Sequence, residues 1–462
     1  MRNNILLTTH NLKNYGGSEL NILDLAIELS NENADVFVAT FLYDYPIKKL
    51  FDDKKIKVVN ILTDNLPIRQ FDLIWAQHAP VLYHILFEQN IIADKIIFSS
   101  LSPYEPLEVS PAFVNDLTFC LANSYETRDQ LIIEGVSPEQ IFVFPNSVSE
   151  DFFQQSFVNQ SKLLKRICIV SNHIPEELIE TKTILGDLGI SCDIYGQRHN
   201  YKLVTPSLLQ PYDAILTIGK TVQYGLALGK PVYCYDQFGG PGWITLKNIE
   251  TAQYYNFSGR CCNRKLPALL LTEDIVNGFQ TCLFQQSQLN EYAVKNFSLR
   301  KNIKHLFNLV NNKTNILHVD IIKNNFRCKR ANQYYVRWLK SVQKQFQLES
   351  AEICYAVVDS LVNMFVQQNK TAAIWGAGIT AVGLFDNCHS FKKLVKIVID
   401  KAPQLHGSKF LDFTIQNPDC LKESNIDIII IASIKYAKEI REYIKENYPD
   451  KIILDINGIS KT

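Results

Sequence analysis

No stretch of this sequence approaches the roughly 20 consecutive apolar residues that a membrane-crossing helix needs. The apolar run nearest the amino terminus, Ile5-Leu6-Leu7, turns polar at Thr8-Thr9-His10, which is too short for the core of a signal peptide and reads as a first strand. An excess of either charge is also missing. Lys plus Arg and Asp plus Glu both number 47, so no global basic field draws the chain to nucleic acid, while peripheral contact with a membrane stays compatible with these counts. Metal-site spacing is lacking among the 11 cysteines: their one adjacent pair, Cys261-Cys262, has neither CxxC nor Cys/His spacing. Reduced thiols of a cytoplasmic protein account for them. Short-period repeats are absent as well.

What is present is apolar material for several cores: 462 residues, 47% hydrophobic and 20% charged, in the range of globular chains. Short β-branched runs alternate with amphipathic stretches, the pattern of parallel sheets with crossover helices. Strands are expected at Asn4–Leu7, Asp35–Thr40, Lys57–Ile61, Leu73–Gln77, Lys95–Ser99, Phe119–Ala122 and Ile141–Phe144. A second series starts at Ile167–Ser171 and runs through Cys192–Tyr195, Ala214–Thr217 and Val232–Asp236. The polar stretch Ser156–Lys165 between them is expected to be a hinge. The fold class is therefore α/β, with Rossmann-like halves at 1–158 and 159–312, a helical connector at 313–369 and a small Rossmann-like domain at 370–462.

Strand Ile5–Leu7 leads into Gly16-Gly17-Ser18-Glu19 and an apolar-periodic helix through Leu20, Leu23 and Leu29. Glycines before a helix let the backbone approach an anion, although such pairs also serve turns alone. His78 ends the strand Leu73–Gln77, at the edge where α/β sheets place ligands, with Tyr104 and Glu105 as further acceptor-side candidates. The stretch Leu121-Ala122-Asn123-Ser124-Tyr125-Glu126-Thr127-Arg128, then Gly135-Val136 and Phe144-Pro145-Asn146-Ser147-Val148, resembles the strand-Asn-Ser-helix-strand-Pro-Asn-Gly-Val series of GT-B glycosyltransferases of the large retaining family that includes sucrose synthases and mannosyltransferases. The resemblance covers roughly Asn4 to Val310. It implies two facing Rossmann-like domains, a nucleotide-sugar donor, a saccharide or lipid-linked acceptor, and Gly16 and Gly17 against the donor phosphates.

In the second half, a strand leads into Gly219-Lys220-Thr221, then a helix ending at Gly229-Lys230-Pro231. A Walker A loop would need a glycine where Ala214 stands. Lys220 adds a cation to an already positive helix end, which a bound diphosphate would explain; a solvated lysine is the plainer account. Two glutamates usual in retaining members are missing: Leu216 or Thr217 and Tyr224 occupy their places. Basic residues usual after the first strand of this half are missing too, and Arg198 with His199, or Lys220, is expected to supply the charge. Gly240, in the loop Phe238–Trp243, completes the expected donor contacts with Gly219, Thr221 and Tyr224, while His78 and Lys220 are the expected catalytic pair.

The third series opens with Ala372–Trp375 running into Gly376-Ala377-Gly378-Ile379-Thr380-Ala381, with Asp400 ending the strand Lys396–Ile399. That is the G-x-G-x-x-A fingerprint with its ribose-binding acid, so Gly376, Gly378 and Asp400 are candidates for an NAD-like dinucleotide. No Tyr-x-x-x-Lys relay follows, against an oxidoreductase. The leading expectation is retaining, metal-independent glycosyl transfer in cell-surface polysaccharide or glycoconjugate synthesis. The alternative is a catalytically silent protein that binds nucleotide-sugars.

Overall fold

The computed structural model describes residues 3–157, 162–196, 199–313, 322, 324–349, 355–433 and 436–456. The chain divides into two compact units, residues 1–194 with 203–337 and residues 195–202 with 338–462.

The first unit opens with a seven-stranded sheet. Its order is Lys57–Asn60, Asp35–Thr40, Asn4–Thr8, Gln70–Gln77, Ile92–Ser100, Phe119–Ala122, Ile141–Val143, and every pairing is parallel. These runs are apolar on both faces because helices cover both sides, as parallel sheets require. Strand order reverses between Asn4–Thr8 and Gln70–Gln77, and such a switch point opens a crevice beyond the carboxyl ends of the two strands. Thr9-His10 and His78 stand there.

The second sheet runs Ser191–Tyr195, Arg166–Val170, Ala214–Thr217, Val232–Asp236, Gly239–Trp243. Its switch point, between Arg166–Val170 and Ala214–Thr217, places Ser171 and the Gly219-Lys220 turn at the carboxyl edge. Gly239–Trp243 is a correction to the expected loop: it is an edge strand antiparallel to Val232–Asp236. Another correction concerns the end of the second segment. Helix Leu299–Asn312 buries Leu299, Ile303, Leu306 and Val310 in the core of the first sheet, beside Ile5, Leu7 and Leu25.

The other unit holds a six-stranded sheet of order Lys409–Phe410, Phe413–Gln416, Val395–Ile399, Ala372–Trp375, Ile428–Ile431, Ile452–Asp455. Only the Lys409–Phe410 pairing is antiparallel. Helix Tyr355–Gln367 packs against helices Ile379–Asn387 and Phe391–Leu394 and buries Val358 and Val362, and Asp359 accepts a hydrogen bond from the Ser390 backbone N–H at 3.0 Å. This helix, placed in the connector by the sequence, is therefore part of the small domain's core.

Candidate functional site

The first switch point is built around His78, which is buried with a backbone φ of 65°. Its Nδ1 accepts the His10 backbone N–H at 2.9 Å and lies 3.3 Å from Thr9 Oγ1. An Nδ1 that accepts a backbone N–H carries no proton, so the neutral ring holds its proton on Nε2. Nε2 lies 3.3 Å from Glu108 Oε1, and the other oxygen of that carboxylate accepts the Leu101 backbone N–H at 2.7 Å. His78 thus ties three carboxyl-edge loops together. Both ring nitrogens are engaged in doing so, which makes it a positioning residue rather than a base open to the cleft.

A cavity of about 300 Å³ lies beside this knot, lined by His10, Ser18, Glu19, His78, Glu105 and Glu108 among others. Every one of its lining residues comes from the first half. A larger hollow of about 670 Å³ sits between Leu29, Ala34, Ile303 and Phe307, at the amino-terminal edge of the same sheet. It is far from either switch point.

Gly16 and Gly17 open helix Gly17–Asn31, as the sequence implies. The expected role against donor phosphates needs correcting, because Glu19 folds back over Gly16 and takes the space a Cβ there would fill. Its buried carboxylate accepts backbone N–H groups of Glu19 and Asn14 and the Ser18 hydroxyl. The positive helix end is thus already capped by an acid of its own first turn, and a phosphate would meet like charge. Burial raises the pKa of Glu19 despite those donors.

The second switch point carries Gly219, at φ 62°, as N-cap of helix Lys220–Ala227. Lys220 Nζ lies 2.6 Å from Asp24 Oδ2, on the helix that opens at Gly17. Thr221 is half-buried in the same first turn. A second cation, Arg260, pairs with Glu126, and its Nε lies 3.1 Å from Oε1. The Tyr104 hydroxyl donates to that oxygen at 3.1 Å, and the guanidinium sits 5.1 Å from the Tyr104 ring. Asn146 meets Asn256 at 3.0 Å, and Tyr254 donates to Asp129. All these first-half partners sit in loops after strands or in the helices that follow them, so the halves face each other across their carboxyl edges. That is the GT-B arrangement.

Two expected donor contacts have other work. Tyr224 is buried and stacks on Phe152, with ring centroids 4.2 Å apart and planes 9° apart, and its hydroxyl reaches Asp24 at 3.4 Å. Gly240 lies in the edge strand, where a Cβ would strike the Cys234 carbonyl; Trp243 there packs inward and donates to the Ile275 carbonyl at 3.1 Å. Both are corrected to packing positions. Arg198 lies outside the described residues. Asp236 ends its strand buried, accepts the Ser171 hydroxyl at 2.9 Å, and has its pKa raised by burial.

In the small domain, Gly376 has φ 111° and backs onto Ala432, while Gly378 caps helix Ile379–Asn387. Asp400 accepts the Ala377 N–H at 3.1 Å and the Ala402 N–H at 3.0 Å. The fingerprint acid thus closes its own glycine loop with both oxygens, and it fits a ribose only by using the lone pairs that remain.

Residues 368–453 match the family model described as C2185-like, N-terminal. No curated relative matches the chain. Among solved structures, a glycosyltransferase from Rickettsia africae ESF-5 superposes with a TM-score of 0.47 at 14% identity, over 68% of this chain and 100% of that one. Alr3699/HepE from Anabaena, in complex with UDP and glucose, superposes with a TM-score of 0.46 at 14% identity, over 68% and 100%.

Sequence reasoning passed over Glu19, Asp24, Glu108, Glu126 and Arg260. Glu19 and Glu126 carry a local signal, each in the first turn of a helix, where acids are favoured.

Proposed function

We propose that the first unit transfers a sugar from a nucleotide-sugar donor to a saccharide or lipid-linked acceptor, with retention and without a metal, in cell-surface polysaccharide or glycoconjugate synthesis. The observation that carries this reading is the contact of Lys220 with Asp24, which turns the two switch points toward one space.

The donor diphosphate fits the Gly219-Lys220-Thr221 turn, where N–H groups of the first helical turn and the Lys220 ammonium meet negative charge. As the anomeric C–O bond breaks, its electron pair goes to the diphosphate, and these groups stabilise the charge that develops. The acceptor hydroxyl fits the cavity beside His78 and Glu105; its oxygen bonds to the anomeric carbon, and its proton passes to the departing phosphate oxygen. Closure of the halves excludes the water that would otherwise hydrolyse the donor.

A silent sugar-nucleotide-binding protein is the second reading, favoured by Tyr224, whose burial removes a ribose contact from the expected place. A panel of sugar nucleotides separates the two. Donor-dependent release of nucleoside diphosphate with a saccharide acceptor supports the transferase, binding without turnover supports the silent protein, and no binding sinks both.

A further inference from the structure

Helix Phe326–Glu349 carries no acid across Phe326–Arg337 but four cations. Cys328 is buried on its inner face, Tyr335 packs 5.0 Å from the Tyr83 ring, and Asn332 donates to Glu88 Oε1 at 2.8 Å. These contacts brace the helix on the segment that follows His78. The outward side then presents Phe326, Arg330, Tyr334 and Arg337 at helical spacing, flanked by Arg327 and Lys329. Phe326 is 76% and Tyr334 67% exposed. None of the four cations forms an ion pair among the described residues.

We propose that this face docks the protein on an anionic lipid bilayer. Unpaired guanidinium and ammonium groups attract acidic headgroups, and exposed aromatic rings beside them settle at the headgroup level. The rest of the chain holds more acids than cations, because the whole is neutral. An acidic surface therefore attracts this face and repels the remainder, which fixes one orientation. A nucleic acid is favoured less, because the chain has no net positive charge to hold a polyanion along its length.

The test uses the full-length protein in vesicle flotation, with phosphatidylcholine alone and with a phosphatidylcholine–phosphatidylglycerol mixture. Binding is expected only to the mixed vesicles, weakening as salt rises. Arg330→Glu with Arg337→Glu should lower it about tenfold or more, and Phe326→Ser with Tyr334→Ser should also lower it. Circular dichroism and melting checks that the variants fold; if the reversal pair does not, Arg330→Gln with Arg337→Gln replaces it. Absence of binding to mixed vesicles, equal binding to neutral ones, binding untouched by all variants, or preferential binding of a single-stranded RNA competitor would each overturn the proposal.

Discussion

The Lys220 ammonium lies 2.6 Å from the Asp24 carboxylate, with 8% of the lysine side chain and 18% of the aspartate side chain exposed. The two residues come from opposite halves of the unit, so an acid from one half sits where, in the proposed site, a diphosphate would neutralise the other. With the donor diphosphate at Lys220 as proposed, Lys220→Ala should strip a charge-assisted contact and weaken nucleoside diphosphate binding by roughly 1.5–3 kcal/mol. Asp24→Asn removes the competitor and should tighten binding. Calorimetry with a set of nucleoside diphosphates reads both, and equal affinity in wild type and both variants would remove Lys220 from the donor site.

Tyr224 provides a contrast. Its ring stacks on Phe152 and its hydroxyl makes one long contact, 3.4 Å to Asp24. Tyr224→Phe should therefore leave donor affinity within a factor of about 2, while Tyr224→Ala should cost roughly 3–5 kcal/mol of stability by leaving a cavity. Denaturant melts and calorimetry on the two variants check this; a large affinity loss in the phenylalanine variant would return Tyr224 to the donor site.

The central strands are legible in the sequence because parallel strands buried on both faces are continuous β-branched runs; Asp35–Thr40 and Ala214–Thr217 are found with their observed ends. The edge strand Gly239–Trp243 is not, since Gly-Gly-Pro-Gly-Trp is poor in strand-forming residues and owes its conformation to pairing with Val232–Asp236. The same division runs through the site. His78 is visible as the residue after a strand, but its partner Glu108 lies on another loop, and Asp24 and Lys220 are 196 residues apart. Pairings of that kind arise from how the sheets face each other, and no local pattern encodes them.

His10 sets a pH dependence. Burial lowers its pKa from 6.5 to about 3. The folded protein therefore binds fewer protons than the unfolded chain between these values, so stability is full above pH 6.5 and falls as pH drops toward 3. The loss between pH 7 and 4.5 should be roughly 2–3 kcal/mol from this residue. The ring packs edge-on against Phe41 at 5.9 Å, so His10→Phe keeps an aromatic group while removing the titration. Urea melts at the two pH values should show a smaller difference in the variant, and an unchanged difference would assign the acid loss to other groups.

The small domain should fold alone only when helix Tyr355–Gln367 is kept. Its sheet has a core of its own, including Trp375, Ile399, Ile429, Ile431 and Ile444. Its helices Ile379–Asn387 and Phe391–Leu394, however, rest against the helix that carries Val358 and Val362, both fully buried, with Asp359 holding the Ser390 backbone N–H. A fragment beginning at Thr371 exposes the surface those valines cover and leaves that N–H without its carboxylate. Burying each valine is worth about 1.5–3 kcal/mol, a large share of the 5–15 kcal/mol typical of a domain. Residues 355–462 should therefore melt cooperatively as a soluble fragment, with residues 371–462 markedly less stable or aggregated. Calorimetry of the two fragments decides the matter: equal melting temperatures would make the helix dispensable, and an unfolded longer fragment would show that the small domain needs the rest of the chain.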